Sequence, residues 1–119
     1  MKSSTAARIS AVAGLLAVVL GAFGAHGLKD VLGANGTTTI WEKAVFYHFI
    51  HAVMLFLLAE RKPFPAVAWW SFLAGILIFS GSLYLLAATN ALWLGAVTPV
   101  GGVSFLFGWA WLVWKASRE

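Results

Sequence analysis

Read from the N-terminus, the chain alternates long apolar runs with short polar breaks. Residues 9–25 carry no charge, and with the small residues at 5–7 they reach the roughly 20 residues that carry a helix across a ~30 Å hydrocarbon core. Residues 63–114 are also uncharged, too many for one helix, and the polar pair Thr89 and Asn90 divides them. The second span is less sharply drawn. Only 44–59 is free of charge, so 40–43 must be recruited, with Glu42 and Lys43 reaching back to water. Its start is marked by Thr39 and Glu42 at capping-box spacing, after the turn-like Gly33, Asn35 and Gly36. The pattern predicts an all-α polytopic membrane protein: one membrane domain over 1–119, an antiparallel bundle of four transmembrane helices at 5–25, 40–59, 66–88 and 92–114.

Composition strengthens this picture. The chain is 61% hydrophobic and 10% charged, and a mean hydropathy of +0.89 lies far outside the soluble range. Without cysteine it has no disulfide, thiolate metal site or covalent haem. The net charge of +4 does not point to nucleic acid, because the basic residues are scattered near the ends of apolar runs. They act as topology signals. Lys2, Arg8, Arg61, Lys62, Lys115 and Arg118 fall on the side of the termini and only Lys29 and Lys43 on the other, which predicts N-in, C-in insertion. Trp69, Trp70, Trp109, Trp111 and Trp114 toward one face, with Trp41 and Trp93 toward the other, predict two interfacial belts. Lys2, Arg8, the apolar core and Ala22-Phe23-Gly24 also have the form of a cleavable signal peptide; retention as span one is the expectation.

Helices in lipid associate through close packing, which favours small residues on shared faces. In the first span Ala7, Ala11, Gly14, Val18, Gly21 and Ala25 form one such seam, and Ala13, Ala17 and Gly24 a second row. Ser71, Gly75, Gly81 and Ser82 in the third span and Gly101, Gly102, Ser104 and Gly108 in the fourth offer similar surfaces. Pro99 inside the fourth span predicts a kink at 98–102, with Thr98 nearest to the freed carbonyl.

Candidate chemistry centres on three histidines. His48 and His51 share a helix face within the second span and are expected to point inward, since a polar group at that depth is costly without a partner. His26 ends the first span, nearer Trp41 than His51. With Tyr47 and Thr98 these form a candidate polar cluster: His26, Trp41, Tyr47, His48, His51 and Thr98. Imidazoles serve metal, haem and proton chemistry, and also serve as neutral interior hydrogen-bonding groups. Asp30, Glu42, Glu60 and Glu119 all lie away from the span centres, so neither a catalytic triad nor the buried carboxylate of a small multidrug transporter is present. No catalytic residue, metal ligand or cofactor is assigned.

Taken together, GAFGAHGLKD, the segment from Trp41 to Ala52, FSGSLYLLA, LGAVTPVGG and FLFGW resemble the YgdD-like family of small bacterial inner-membrane proteins, related to the eukaryotic transmembrane protein 256 group. The resemblance covers nearly the whole chain. It implies four spans in a bacterial inner membrane and retention of the first, and it transfers no reaction. The resulting expectation is a non-enzymatic bundle that binds a lipid, a small ligand, a membrane-protein complex or a second copy of itself. The alternative is a histidine-based metal, haem or proton-linked redox or transport protein.

Overall fold

A computed structural model describes residues 1–118, and their regular structure is entirely helical. The elements are α1 (Ser3–Ala25), α2 (Lys29–Asn35), α3 (Thr38–Ala59), α4 (Ala66–Gly75), a π-helical turn (Ile76–Ser80), α5 (Gly81–Thr89), a 3₁₀ turn (Leu92–Ala96) and α6 (Thr98–Ser117). Four stretches are long and apolar enough to cross a membrane: Ser3–Ala25, Thr38–Ala59, Ala66–Thr89 and Leu92–Ser117. The longest dimension, 50 Å, suits a bilayer of about 40–45 Å including its headgroups.

The third span occupies the middle. It packs against α3 on one side and α6 on the other, and α1 lies on α3. Large apolar side chains such as Leu15, Val18, Phe46, Leu77 and Leu106 face outward, as lipid-facing positions should.

Several local expectations change. The first connection contains a helix: Lys29–Asn35 folds under the bundle because Leu32 is fully buried, and it ends at Gly36 in the left-handed region (φ 68°). There Thr37 N–H donates to Leu32 O and Gly36 N–H to Gly33 O, closing the helix end. The capping box does not form. Thr37, two residues earlier, precedes α3, and its hydroxyl donates 2.7 Å to Ala87 O instead. Asn35 donates to the same carbonyl, so side chains of the first connection satisfy the end of α5.

The third span is not a uniform α-helix, since Gly81 N–H reaches back to Ile76 O and closes a wider turn. Nor does Pro99 kink the fourth span. The helix restarts at Thr98 after the 3₁₀ turn, placing Pro99 in the first turn of α6, where its missing N–H has no intrahelical carbonyl to lose.

In α1 only one of the two small-residue rows packs as expected. The buried row is Ala6, Ser10, Ala13 and Ala17, continued by Gly24 against Trp41, while Ala11, Val18 and Ala25 of the expected seam are exposed. Both rows have the same period and differ by one residue. Ser10 decides between them: its hydroxyl donates to Ala6 O and accepts from the Trp69 indole, a bond that needs this face turned inward. Trp69 is consequently core and not belt, as is Trp41, whereas Trp70, Trp93 and Trp114 remain exposed as belt residues should be.

Where α6 meets the third span, small residues are in close contact. A side chain on Gly75 would strike Phe105, one on Gly108 would strike Phe72, and one on Gly101 would meet the Phe79 backbone. Ser104 donates 2.7 Å to Ser71 O across this interface. Gly81 has open space beside it and Gly102 only ordinary contact with Phe79, so neither is required by close packing.

Candidate functional site

His48 and His51 are buried on the inward face of α3, and they look in different directions. His51 Nε2 lies 3.0 Å from the Trp109 indole nitrogen, and His51 Nδ1 lies 2.7 Å from Tyr47 O. An indole N–H only donates and a carbonyl only accepts, so Nε2 must be bare and Nδ1 must carry the proton. Both ring nitrogens of His51 are therefore engaged by the protein in one tautomer. The ring stacks on Phe105 at 3.7 Å between centroids and meets Phe72 edge-on.

His48 Nδ1 lies 2.8 Å from the Tyr84 hydroxyl. It thus ties α3 to α5. The Tyr84 ring also packs against Trp41, with centroids 4.8 Å apart, and Trp41 Nε1 donates 2.8 Å to Leu20 O. Nearby, Ser80 donates 2.8 Å to Ala44 O.

The remaining candidates lie elsewhere. Thr98 pairs with Ser82 at 2.6 Å, between α5 and α6; Ser82 is also 3.0 Å from Phe79 O and Thr98 3.3 Å from Leu94 O, so two hydroxyl protons serve three contacts. His26 is exposed just beyond α1. Tyr47 contributes its carbonyl to His51 and its ring to Phe79. The candidate cluster is thus several separate stations: His51 with Trp109, His48 with Tyr84 and Trp41, Thr98 with Ser82, and His26 apart. Among the described residues no group of three His, Asp or Glu side chains is placed to hold a metal ion, and Glu119 lies outside them.

A substantial cavity lies away from the histidines, whose side chains are not among its lining. It is a groove of about 650 Å³ between α1 and α3. Val18, Gly21 and Ala25 of the exposed α1 seam form one wall, and Val45, Phe46 and Phe49 of α3 the other. Its mouth carries Lys29, Thr38 and Glu42. Neither Lys29 nor Glu42 has an ion-pair partner among the described residues. A smaller groove of about 240 Å³ follows the same two helices further along, past Ala11, Gly14, Val53 and Phe56. The seam that sequence reasoning gave to helix packing is therefore the wall of two apolar grooves.

Residues 20–102 match the family described as Protein of unknown function (DUF423). The chain belongs to this family. Curated relatives agree along nearly the full length: the UPF0382 membrane protein YwdK of Bacillus subtilis is 43% identical, over 92% of this chain and 94% of its own. A UPF0382 membrane protein of Staphylococcus epidermidis is 43% identical over 88% of each chain. The UPF0382 inner membrane protein YgdD of Escherichia coli is 42% identical over 92% of this chain and 86% of its own. No solved structure matches. Family and fold together make the chain a multi-pass membrane protein.

Tyr84, Trp109, Ser10 and Trp69 complete the polar stations and were not singled out as polar partners from sequence. A usable signal existed for one of them. Ser80 and Tyr84 are four apart on one helix face, as are Ala44 and His48 on α3, and the two pairs meet. For Trp109 and Trp69 the interfacial-belt reading concealed it.

Proposed function

We propose that the protein is a non-enzymatic lipid-binding bundle whose ligand is a membrane phospholipid, with one acyl chain lying in the α1–α3 groove. The groove itself carries this reading: about 650 Å³ of mainly apolar cavity, within the ~300–1,000 Å³ typical of ligand sites. Small residues on α1 recess one wall while Phe46, Phe49 and Ile50 supply the other. Lys29 and Glu42 at the mouth offer one charge of each sign, which complements a zwitterionic headgroup's phosphate and amine.

Enzymatic or metal chemistry at the histidines has less support. His51 would have to give up Trp109 or Tyr47 before either nitrogen became free, and His48 already faces Tyr84.

The test is lipid retention by the full chain purified in mild detergent. Wild type is expected to carry phospholipid reproducibly, and Val18→Trp with Ala25→Phe, which fill the groove from exposed positions, should deplete it. Equal lipid in the filled variant, or recovery of wild type as a lipid-free chain or as a protein complex occupying this face, refutes the proposal.

A further inference from the structure

A second cavity, of about 270 Å³, lies at the opposite end of the bundle, where the linker between α3 and α4 meets the end of α6. Its chemistry differs from that of the groove. Arg61 and Lys62 come from the linker and Lys115 from α6, so three cationic side chains from distant parts of the chain line one cavity. Phe64, Val67 and Trp111 supply apolar wall beside them. Lys115 Nζ stands 5.8 Å from the centre of the Trp111 ring, which holds the ammonium at the apolar edge. Neither Lys62 nor Lys115 has a carboxylate partner among the described residues. Pro63 and Pro65 restrict the linker backbone on the cavity wall.

From this convergence we infer a binding site for the phosphate-bearing headgroup of an anionic phospholipid, on the membrane face that carries both termini. Cations gathered at a helix-bundle boundary attract anionic headgroups. The aromatic and aliphatic wall favours a lipid over a free anion, because it offers contact to the glycerol and upper acyl region that inorganic phosphate lacks. Location separates this site from the α1–α3 groove, so it stands whether or not the groove holds an acyl chain.

The full chain is reconstituted in nanodiscs of phosphatidylethanolamine with a minor fraction of phosphatidylglycerol, and lipids retained on release are identified by native mass spectrometry. Wild type is expected to retain phosphatidylglycerol above its bulk share. Lys62→Gln and Lys115→Gln should each lower that enrichment about fivefold, and the double variant about 30-fold. Lys62→Arg with Lys115→Arg should preserve it, as should Lys43→Gln at the other end of the bundle. Wild-type retention that follows the bulk ratio overturns the inference, as does a double glutamine variant that enriches like wild type. Wild type that holds added inorganic phosphate but shows no preference between the lipids assigns the cavity to a free anion and also overturns it.

Discussion

Gly101 is the position at which a single methyl group should do most damage. A Cβ there would lie 2.7 Å from Phe79 Cα and closer still to Phe79 N, whereas ordinary contact begins at 3.4 Å. The obstruction is backbone in the π-helical turn, so no side-chain rotation relieves it. Clearing Phe79 Cα alone requires α6 and the third span to separate by about 0.7 Å and clearing Phe79 N requires more, while a gap of ~0.5–1 Å already forfeits about a quarter to a half of each dispersion contact across it. The same opening strains the 2.6 Å Ser82–Thr98 and 2.7 Å Ser104–Ser71 bonds on either side. Gly101→Ala should therefore destabilise the fold by about 2–3 kcal/mol, the upper part of the range for an overpacked core. Gly81→Ala and Gly14→Ala, both facing open space, should be neutral or slightly stabilising through helix propensity. The assay is reversible unfolding in mixed detergent micelles, followed by far-UV circular dichroism for all three variants. A Gly101→Ala midpoint equal to that of Gly81→Ala would refute the packing argument.

Other outcomes follow from the polar stations and the spans. Trp109→Phe leaves His51 Nε2 without its donor and should cost about 1–2 kcal/mol, and nitrogen NMR of the wild-type histidines should show His51 protonated at Nδ1; a His51 proton at Nε2 contradicts the assignment. Tyr84→Phe should cost about 0.6–1.7 kcal/mol by releasing His48, while Tyr47→Phe, whose hydroxyl has no hydrogen bond among the described residues, should be close to neutral; equal effects in the same unfolding assay contradict the difference. For orientation, Ala34→Cys should react with an impermeant maleimide in intact cells and Ser117→Cys only after lysis, with the reverse pattern rejecting N-in, C-in insertion.

The spans were legible because length and absence of charge are one-dimensional properties. Their internal detail was not. Two small-residue rows one position apart on α1 are indistinguishable until Ser10 finds Trp69, a partner 59 residues away. Nothing in the uniform apolar run before Ser80 marks a π-helical turn, since any residue there suits lipid or core alike. Pro99 was misread because a proline in an uncharged run looks internal until the preceding turn is seen to be 3₁₀. At the histidines, burial could be inferred from cost alone, but their partners are 36 and 58 residues distant and depend on how three helices cross. The basic cavity was hidden for a different reason: Lys62 and Lys115 are far apart in sequence, and each had already been explained as a topology signal.

The π-helical turn Ile76–Ser80 gives the third span slack in its length. Each α-helical residue advances by about 100° around the axis, so deleting one from Ala66–Gly75 would turn Ser71 and Gly75 away from α6, or Ser80 and Tyr84 away from α3. Deleting one within Ile76–Ser80 would instead convert the wide turn into an ordinary one, leaving both halves facing their neighbours and shortening the helix by roughly 1.5 Å. Length variation in this span is therefore best absorbed within those five residues, where one residue is surplus to the α-helical repeat.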